Sequence, residues 1–137
     1  MKRVLVDTGP LVAILSSTDQ HHEICVERLR HLPGPLLSCW PVITEAAWLL
    51  RAYPKAIQKL LRSMDSGFLE LLPLAGTEAA ALAEVIKTYQ DIQPQLADAA
   101  LVYLAHREGI DTIFTLDRRD FSVFRSAGKK AFRIVPQ

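Results

Sequence analysis

Hydrophobic residues recur along this chain in two patterns: short unbroken apolar runs, and longer stretches in which they return every three or four positions. Unbroken runs of four to six belong to strands covered on both faces, and the longer period belongs to helices packed by one side. Residues 2–6 form the first such strand, followed by a turn at Thr8-Gly9-Pro10 and an apolar helix over 11–15. Ser17 with Gln20 three positions on predicts a capping box, opening a helix whose stripe of Ile24, Cys25, Leu29 and Leu32 ends at Pro33-Gly34. A strand at 36–39 precedes a helix from Pro41 to Tyr53, and Pro54 begins another that lasts to about Met64. Beyond it the pattern predicts a strand at 68–72, a helix at 77–89 capped by Thr77, and an apolar helix at 95–107 that Gly109 ends. A strand at 112–115, a helix at 118–126 and a strand at 131–135 complete the chain.

Strands alternating with helices imply an α/β fold, with a central, mainly parallel sheet of about five strands covered by helices on both faces. The 137 residues, half of them hydrophobic, suit one domain spanning 1–137. The basic and apolar start is broken by Asp7, Gly9 and Pro10 before a signal-peptide core forms, and no run approaches a membrane span. Cys25 and Cys39 lack any paired or metal-type spacing, so they read as small core residues of a protein in a reducing cytoplasm.

Charge narrows the function. A net +1 excludes a protein that coats nucleic acid by bulk electrostatics. Local basic clusters remain: Arg118, Arg119, Arg125, Lys129, Lys130 and Arg133 near the end, and Arg51, Lys55, Lys59 and Arg62 at helical spacing. Each also fits the solvated face of a helix.

Four acids stand out against this background. Asp7 closes the first strand, Glu45 and Asp98 lie within apolar helical runs, and Asp117 follows the fourth strand. Taken singly they have ordinary explanations, since Asp7 and Asp117 fit helix N-caps and Asp98 lies in a first turn. Glu45 is harder to place at the surface, because Pro41, Val42, Trp48 and Leu49 share its helical face. The alanines around Asp98 leave room for a close approach. Ligands of open parallel sheets bind beyond the carboxyl ends of the strands, where Asp7 and Asp117 both fall. Together the four acids predict a shared pocket. Crowded carboxylates need a compensating charge, which Mg²⁺ or Mn²⁺ supplies with oxygen ligands.

Asp7 in VLVDTGPLVAIL, Glu45 in PVITEAAWLL, Asp98 in QLADAALVYLA and Asp117 in IFTLDRRDF resemble the PIN-domain ribonucleases, most of all the VapC-type toxins of toxin–antitoxin pairs. The likeness runs nearly end to end. It implies a PIN-like three-layer sandwich, a divalent cation held by the acidic quartet, and endonucleolytic hydrolysis of RNA that leaves 5′-phosphate and 3′-hydroxyl ends. Thr8 and Thr115 match hydroxyl positions that line such sites, and Asp120 falls in an acidic stretch of the motif, where a first-turn role explains it equally well. The resemblance further implies a homodimer and an antitoxin partner that blocks the cleft, for which an Arg inserted among the carboxylates is suited.

In that reading Asp7, Asp98 and Asp117 are ligands, and Glu45 is a ligand or the group that orients and deprotonates the attacking water. Arg118 and Arg119 are candidate phosphate contacts, or simply solvent-exposed. Trp40 and Trp48 have the chemistry to stack bases, but Trp48, between Ala47 and Leu49, reads better as core. Asp7-Thr8-Gly9 also spells an aspartic-protease tripeptide, which the helical composition of 77–89 and 95–107 rejects. A phosphotransferase built on Asp7 lacks its second acid, since Gly9 stands there. The remaining alternatives are a non-catalytic RNA- or protein-binding module on the same fold, and a PIN nuclease of RNA processing.

Overall fold

The computed structural model describes residues 3–136. Five strands form one sheet in the order β3-β2-β1-β4-β5: β1 (Val4–Val6), β2 (Leu36–Ser38), β3 (Leu69–Leu71), β4 (Thr112–Phe114) and β5 (Arg133–Val135). Every neighbouring pair is parallel, with Leu5 opposite both Leu37 and Ile113. β1, β2 and β4 are buried at every position, as strands covered on both faces must be.

The flanking helices are α1 (Thr8–Leu15), α2 (His22–Leu29), α3 (Trp40–Leu49), α4 (Pro54–Arg62), α5 (Ala79–Thr88), α6 (Leu96–Glu108) and α7 (Arg118–Phe121). The chain thus forms an α/β sandwich around an entirely parallel sheet. α6 buries seven residues, four of them alanines, and Gly109 ends it in the left-handed conformation at φ 67°. Phe121 packs edge-on against Phe124 and Phe132, with ring centroids 5.0 and 5.8 Å away. This aromatic cluster anchors the last fifth of the chain to the core.

Strand order positions the site. From β1 the chain builds outward through β2 to β3, then returns to the other side of β1 for β4 and β5. The reversal falls between β1 and β4, and a crevice opens there beyond the carboxyl ends of the strands. Asp7 follows β1 and Thr115 follows β4, so both lie at that crevice.

Several expected boundaries shift. The first strand begins at Val4, and residue 2, included in its predicted span, lies outside the described residues. Gly9 and Pro10 belong to the first turn of α1, because proline tolerates a position whose N–H has no intrahelical partner. No Ser17–Gln20 capping box forms; Asp19 instead accepts from the His21 N–H at 2.8 Å and α2 starts at His22. Thr77 caps nothing, since Glu78 accepts from the Ala75 N–H at 2.9 Å and a 3₁₀ turn at Gly76–Glu78 precedes α5. The helix expected over 118–126 stops at Phe121, and Arg125 forms an antiparallel bridge with Ala131. The Arg125 guanidinium there donates to the Ser122, Val123 and Phe124 carbonyls, satisfying acceptors that a longer helix would have used.

Leu5 is fully buried on the central strand. Leu5→Ala is expected to lower unfolding free energy by about 2–5 kcal/mol, measured by urea denaturation; a loss below about 1 kcal/mol would show that the site collapses to fill the void.

Candidate active site

Asp7 terminates the central strand and is 7% exposed. Its N–H continues the β1–β4 ladder to the Phe114 carbonyl at 2.9 Å, while its side chain caps α1 by accepting from the Thr8 N–H at 2.8 Å. Its other carboxylate oxygen accepts from the Thr115 hydroxyl at 2.9 Å. That same hydroxyl accepts from the Asp117 N–H at 3.0 Å. One buried threonine therefore ties the two strand-end acids together.

Glu45 reaches the same place from α3. The Thr8 hydroxyl donates to it at 2.6 Å, linking the start of α1 to the middle of α3. Asp98 arrives from the first turn of α6, where it accepts from the Gln95 N–H at 3.0 Å. Asp117 caps α7 by accepting from the Asp120 N–H at 3.1 Å. The ordinary roles and the shared pocket thus coexist: Asp7 and Asp117 are N-caps, and they also face the crevice.

Asp7, Glu45, Asp98, Asp117 and Asp120 all line one open cleft of about 550 Å³, together with Thr8, Gly9, Leu49, Gln93, Gln95 and Leu116. No lysine, arginine or histidine is among the lining residues. Burial pushes the Asp7 carboxyl up to about 6, opposed by its Thr8 and Thr115 hydrogen bonds and reinforced by the charges of Asp98 and Glu45. Asp98 is likewise raised to about 6, first by burial and further by Asp117, Glu45 and Asp120. Burial and the Asp117 charge raise Asp120 as well.

The carboxylates face one cleft without being drawn into a cage. Among the described residues, no three His, Cys, Asp or Glu side chains are grouped to hold a cation as they stand. The physical reason is visible in the bonding: uncompensated acids repel one another, and four of the five are held by local N–H or hydroxyl donors. The donor set nevertheless fits a hard divalent ion, being all oxygen, strongly acidic and free of lining bases.

Other expectations divide. Arg118 and Arg119 are exposed and outside the cleft lining; Arg118 donates to the Pro136 carbonyl at 2.8 Å. Cys25 and Cys39 are buried, free thiols. Trp48 is not core: it is 64% exposed and Trp40 is 59% exposed. Sequence reasoning did not single out Gln93, Gln95 or Leu116 for the cleft. Gln93-Pro94 signalled the start of α6, and Gln93, which lines the cleft, adopts a left-handed φ of 53°.

A parallel sheet in this order, with acids from the end of β1, from α3, from α6 and from the segment after β4 meeting at its crevice, defines an α/β fold with an acidic centre. The chain matches the PIN domain family over residues 4–128 and belongs to that family. It is 32% identical over 135 residues to Ribonuclease VapC26 of Mycobacterium tuberculosis (strain ATCC 25618 / H37Rv), covering 97% of this chain and 100% of that protein. A crystal structure of Mycobacterium tuberculosis VapC20, a sarcin-ricin loop cleaving toxin, shares the fold: its TM-score is 0.74 at 15% identity, over 80% of this chain and 86% of that one.

The raised Asp7 carboxyl has a defined consequence for stability. Because the folded protein holds this proton more tightly than the unfolded chain, the contribution is full below about pH 4 and is lost as pH rises through about 6. In chelator at pH 7, Asp7→Asn is therefore expected to be more stable than the parent by about 1–3 kcal/mol, with the difference vanishing near pH 4. Urea unfolding across pH 4–7 reads this directly, and an Asn protein less stable throughout would refute the buried-charge assignment.

Proposed function

We propose that this chain is a metal-dependent endoribonuclease that hydrolyses RNA phosphodiester bonds, and that it is the toxin of a type II toxin–antitoxin pair. The observation that carries the reading is the base-free carboxylate cleft at the strand-order reversal. Membership of the PIN family and similarity over nearly the whole chain to a protein named as a VapC ribonuclease support the activity. The VapC20 likeness supports the fold that presents it.

Asp7, Glu45, Asp98 and Asp117 would hold Mg²⁺ or Mn²⁺, which supplies Lewis acidity toward the phosphodiester and lowers the pKa of water. Thr115 fixes the Asp7 carboxylate, and Thr8 fixes Glu45. Glu45 takes the role of orienting the attacking water and accepting its proton, with in-line displacement of the ribose 3′-oxygen giving 5′-phosphate and 3′-hydroxyl products. Asp120 adds negative charge at the cleft rim. Arg118 and Arg119, exposed just beyond Asp117, would supply the guanidinium contacts to flanking phosphates.

The toxin reading brings further expectations: action in the cytoplasm, a homodimer, and a cognate antitoxin that neutralises the carboxylates with an arginine. Among the described residues no helix is long and apolar enough to cross a membrane. A binding module without catalysis, or an RNA-processing nuclease, would use the same fold, but no feature of the cleft favours either.

Metal-stripped protein is expected to leave RNA intact, and added Mg²⁺ or Mn²⁺ to restore cleavage. Asp7→Asn should lower the metal-restored rate by at least about 100-fold, followed by gel resolution of end-labelled RNA. Metal-independent cleavage, or full activity of the Asn protein, would overturn the mechanism. RNA binding without cleavage in any arm would favour the module.

A further inference from the structure

A second cavity, of opposite character, lies toward the other end of the sheet. About 310 Å³ in volume, it opens between the close of α2 and the amino ends of β1, β4 and β5, where Arg28, His31 and Arg133 line it beside walls of Val4, Leu32 and Val135. No aspartate or glutamate is among its lining residues, and it shares none with the acidic cleft. Arg28 comes from the last turn of α2 and Arg133 begins the edge strand β5, so two distant parts of the chain bring arginines to one opening.

The bonding around these arginines is incomplete. Arg28 Nε is buried without a hydrogen-bond partner, the one side-chain nitrogen or oxygen among the described residues of which this is true. A buried donor is costly to leave in that condition. Among the described residues neither Arg28 nor Arg133 forms an ion pair. The acids that adjoin the lining residues in the chain are engaged elsewhere: Glu27 pairs with Arg30 at 3.2 Å, and Asp111 accepts from the Thr112 hydroxyl at 2.9 Å. His31 Nδ1 donates to the Glu27 carbonyl at 3.0 Å and lies 3.7 Å from its carboxylate. The negative end of the α2 dipole favours Arg28 and His31 near its close, but it does not account for Arg133, which arrives from the sheet. Packing of an arginine stem on apolar side chains leaves the charged head in water, so it does not account for the buried Nε either.

A bound anion accounts for both. Two guanidinium charges match the dianion of a phosphate monoester, and their N–H forks match its oxygens. The cavity stands at the lower bound of small-molecule sites, about 300–1,000 Å³, which leaves room along Val4, Leu32 and Val135 for the organic group that carries the phosphate. We propose that this pocket binds a phosphate monoester, with Arg28 and Arg133 on the phosphate oxygens and the organic group against the apolar wall. The assignment is independent of the ribonuclease reading of the cleft. Two sources present this chemistry, a free nucleotide and the 5′-phosphorylated end of an RNA strand.

Isothermal titration calorimetry of the full chain separates them, in chelator so that no cation bridges a phosphate to the acidic cleft. The ligands are adenosine 5′-monophosphate, adenosine, acetate, and a short oligoribonucleotide with and without its 5′-phosphate. Saturable binding of the monophosphate is expected, with none of adenosine or acetate. Arg28→Met should weaken it about 10- to 100-fold and Arg133→Gln about 2- to 5-fold, while Asp7→Asn leaves it unchanged. Without ligand, Arg28→Met should melt no lower than the parent, because methionine keeps much of the stem and removes the unpartnered nitrogen. Preference for the 5′-phosphorylated oligomer over its unphosphorylated twin supports the pocket and assigns it to RNA ends; binding of the nucleotide alone supports it and assigns it to free nucleotides. Absence of binding, equal binding of adenosine or acetate, equal binding of the two oligomers without binding of the nucleotide, or an affinity that follows Asp7→Asn and ignores both arginine variants overturns it. An Arg28→Met protein that melts lower yet binds as the parent does also overturns it, and makes Arg28 part of the scaffold.

Discussion

The Asp7–Thr115 hydrogen bond is the constraint on which the geometry of the cleft depends. Asp7 and Thr115 follow the paired strands β1 and β4, so the bond joins the two strand ends at which strand order reverses. The Thr115 hydroxyl works in both directions, donating to Asp7 and accepting from the Asp117 N–H. Thr8 repeats the device on the other side, its N–H held by Asp7 and its hydroxyl by Glu45. Two threonines thus set the spacing of three acids from three distant parts of the chain. A buried carboxylate without such donors would be far more expensive to keep.

The same molecule shows what a compensated acid looks like. Glu78, on the surface away from the cleft, accepts from the Ala75 N–H, from Tyr103 and from Arg107, and its carboxyl is held down at about 2. Asp7 and Asp98 move the opposite way, to about 6, because burial and neighbouring acids outweigh their hydrogen bonds. The contrast is one of partners: Glu78 has a guanidinium at 2.7 Å, and the cleft has none lining it. Electrostatic stress is therefore concentrated at the crevice rather than distributed over the fold. Strain of this kind is what a site awaiting a cation would carry.

Much of this was legible in the residues. Apolar runs located all five strands to within two residues at each end, because strands buried on both faces leave little else to read. Glu45 and Asp98 were conspicuous through their apolar neighbours, and all four acids do face one cleft. What escaped was decided by competition among local groups. Asp19 rather than Ser17 organises the entry to α2, and the Arg125 guanidinium takes the carbonyls that would have extended the last helix. Trp48 was misjudged because Leu49, an apolar neighbour that made it read as core, is itself 51% exposed. Gln93 and Gln95 carried no periodic signal, being polar residues of a connection whose path only the tertiary fold defines.

The carboxylates of Asp7, Asp98 and Asp117 each hold a backbone N–H at the beginning of a helix. Chemistry and architecture consequently draw on the same atoms. A lineage that silenced this centre by substituting a small apolar side chain would loosen a helix start at the same time, and disarming the protein would carry a folding penalty of about 1 kcal/mol per cap. Amides escape that coupling, since they still accept the N–H. Among descendants that have lost activity but kept their shape, asparagine is therefore the substitution these three positions should tolerate best.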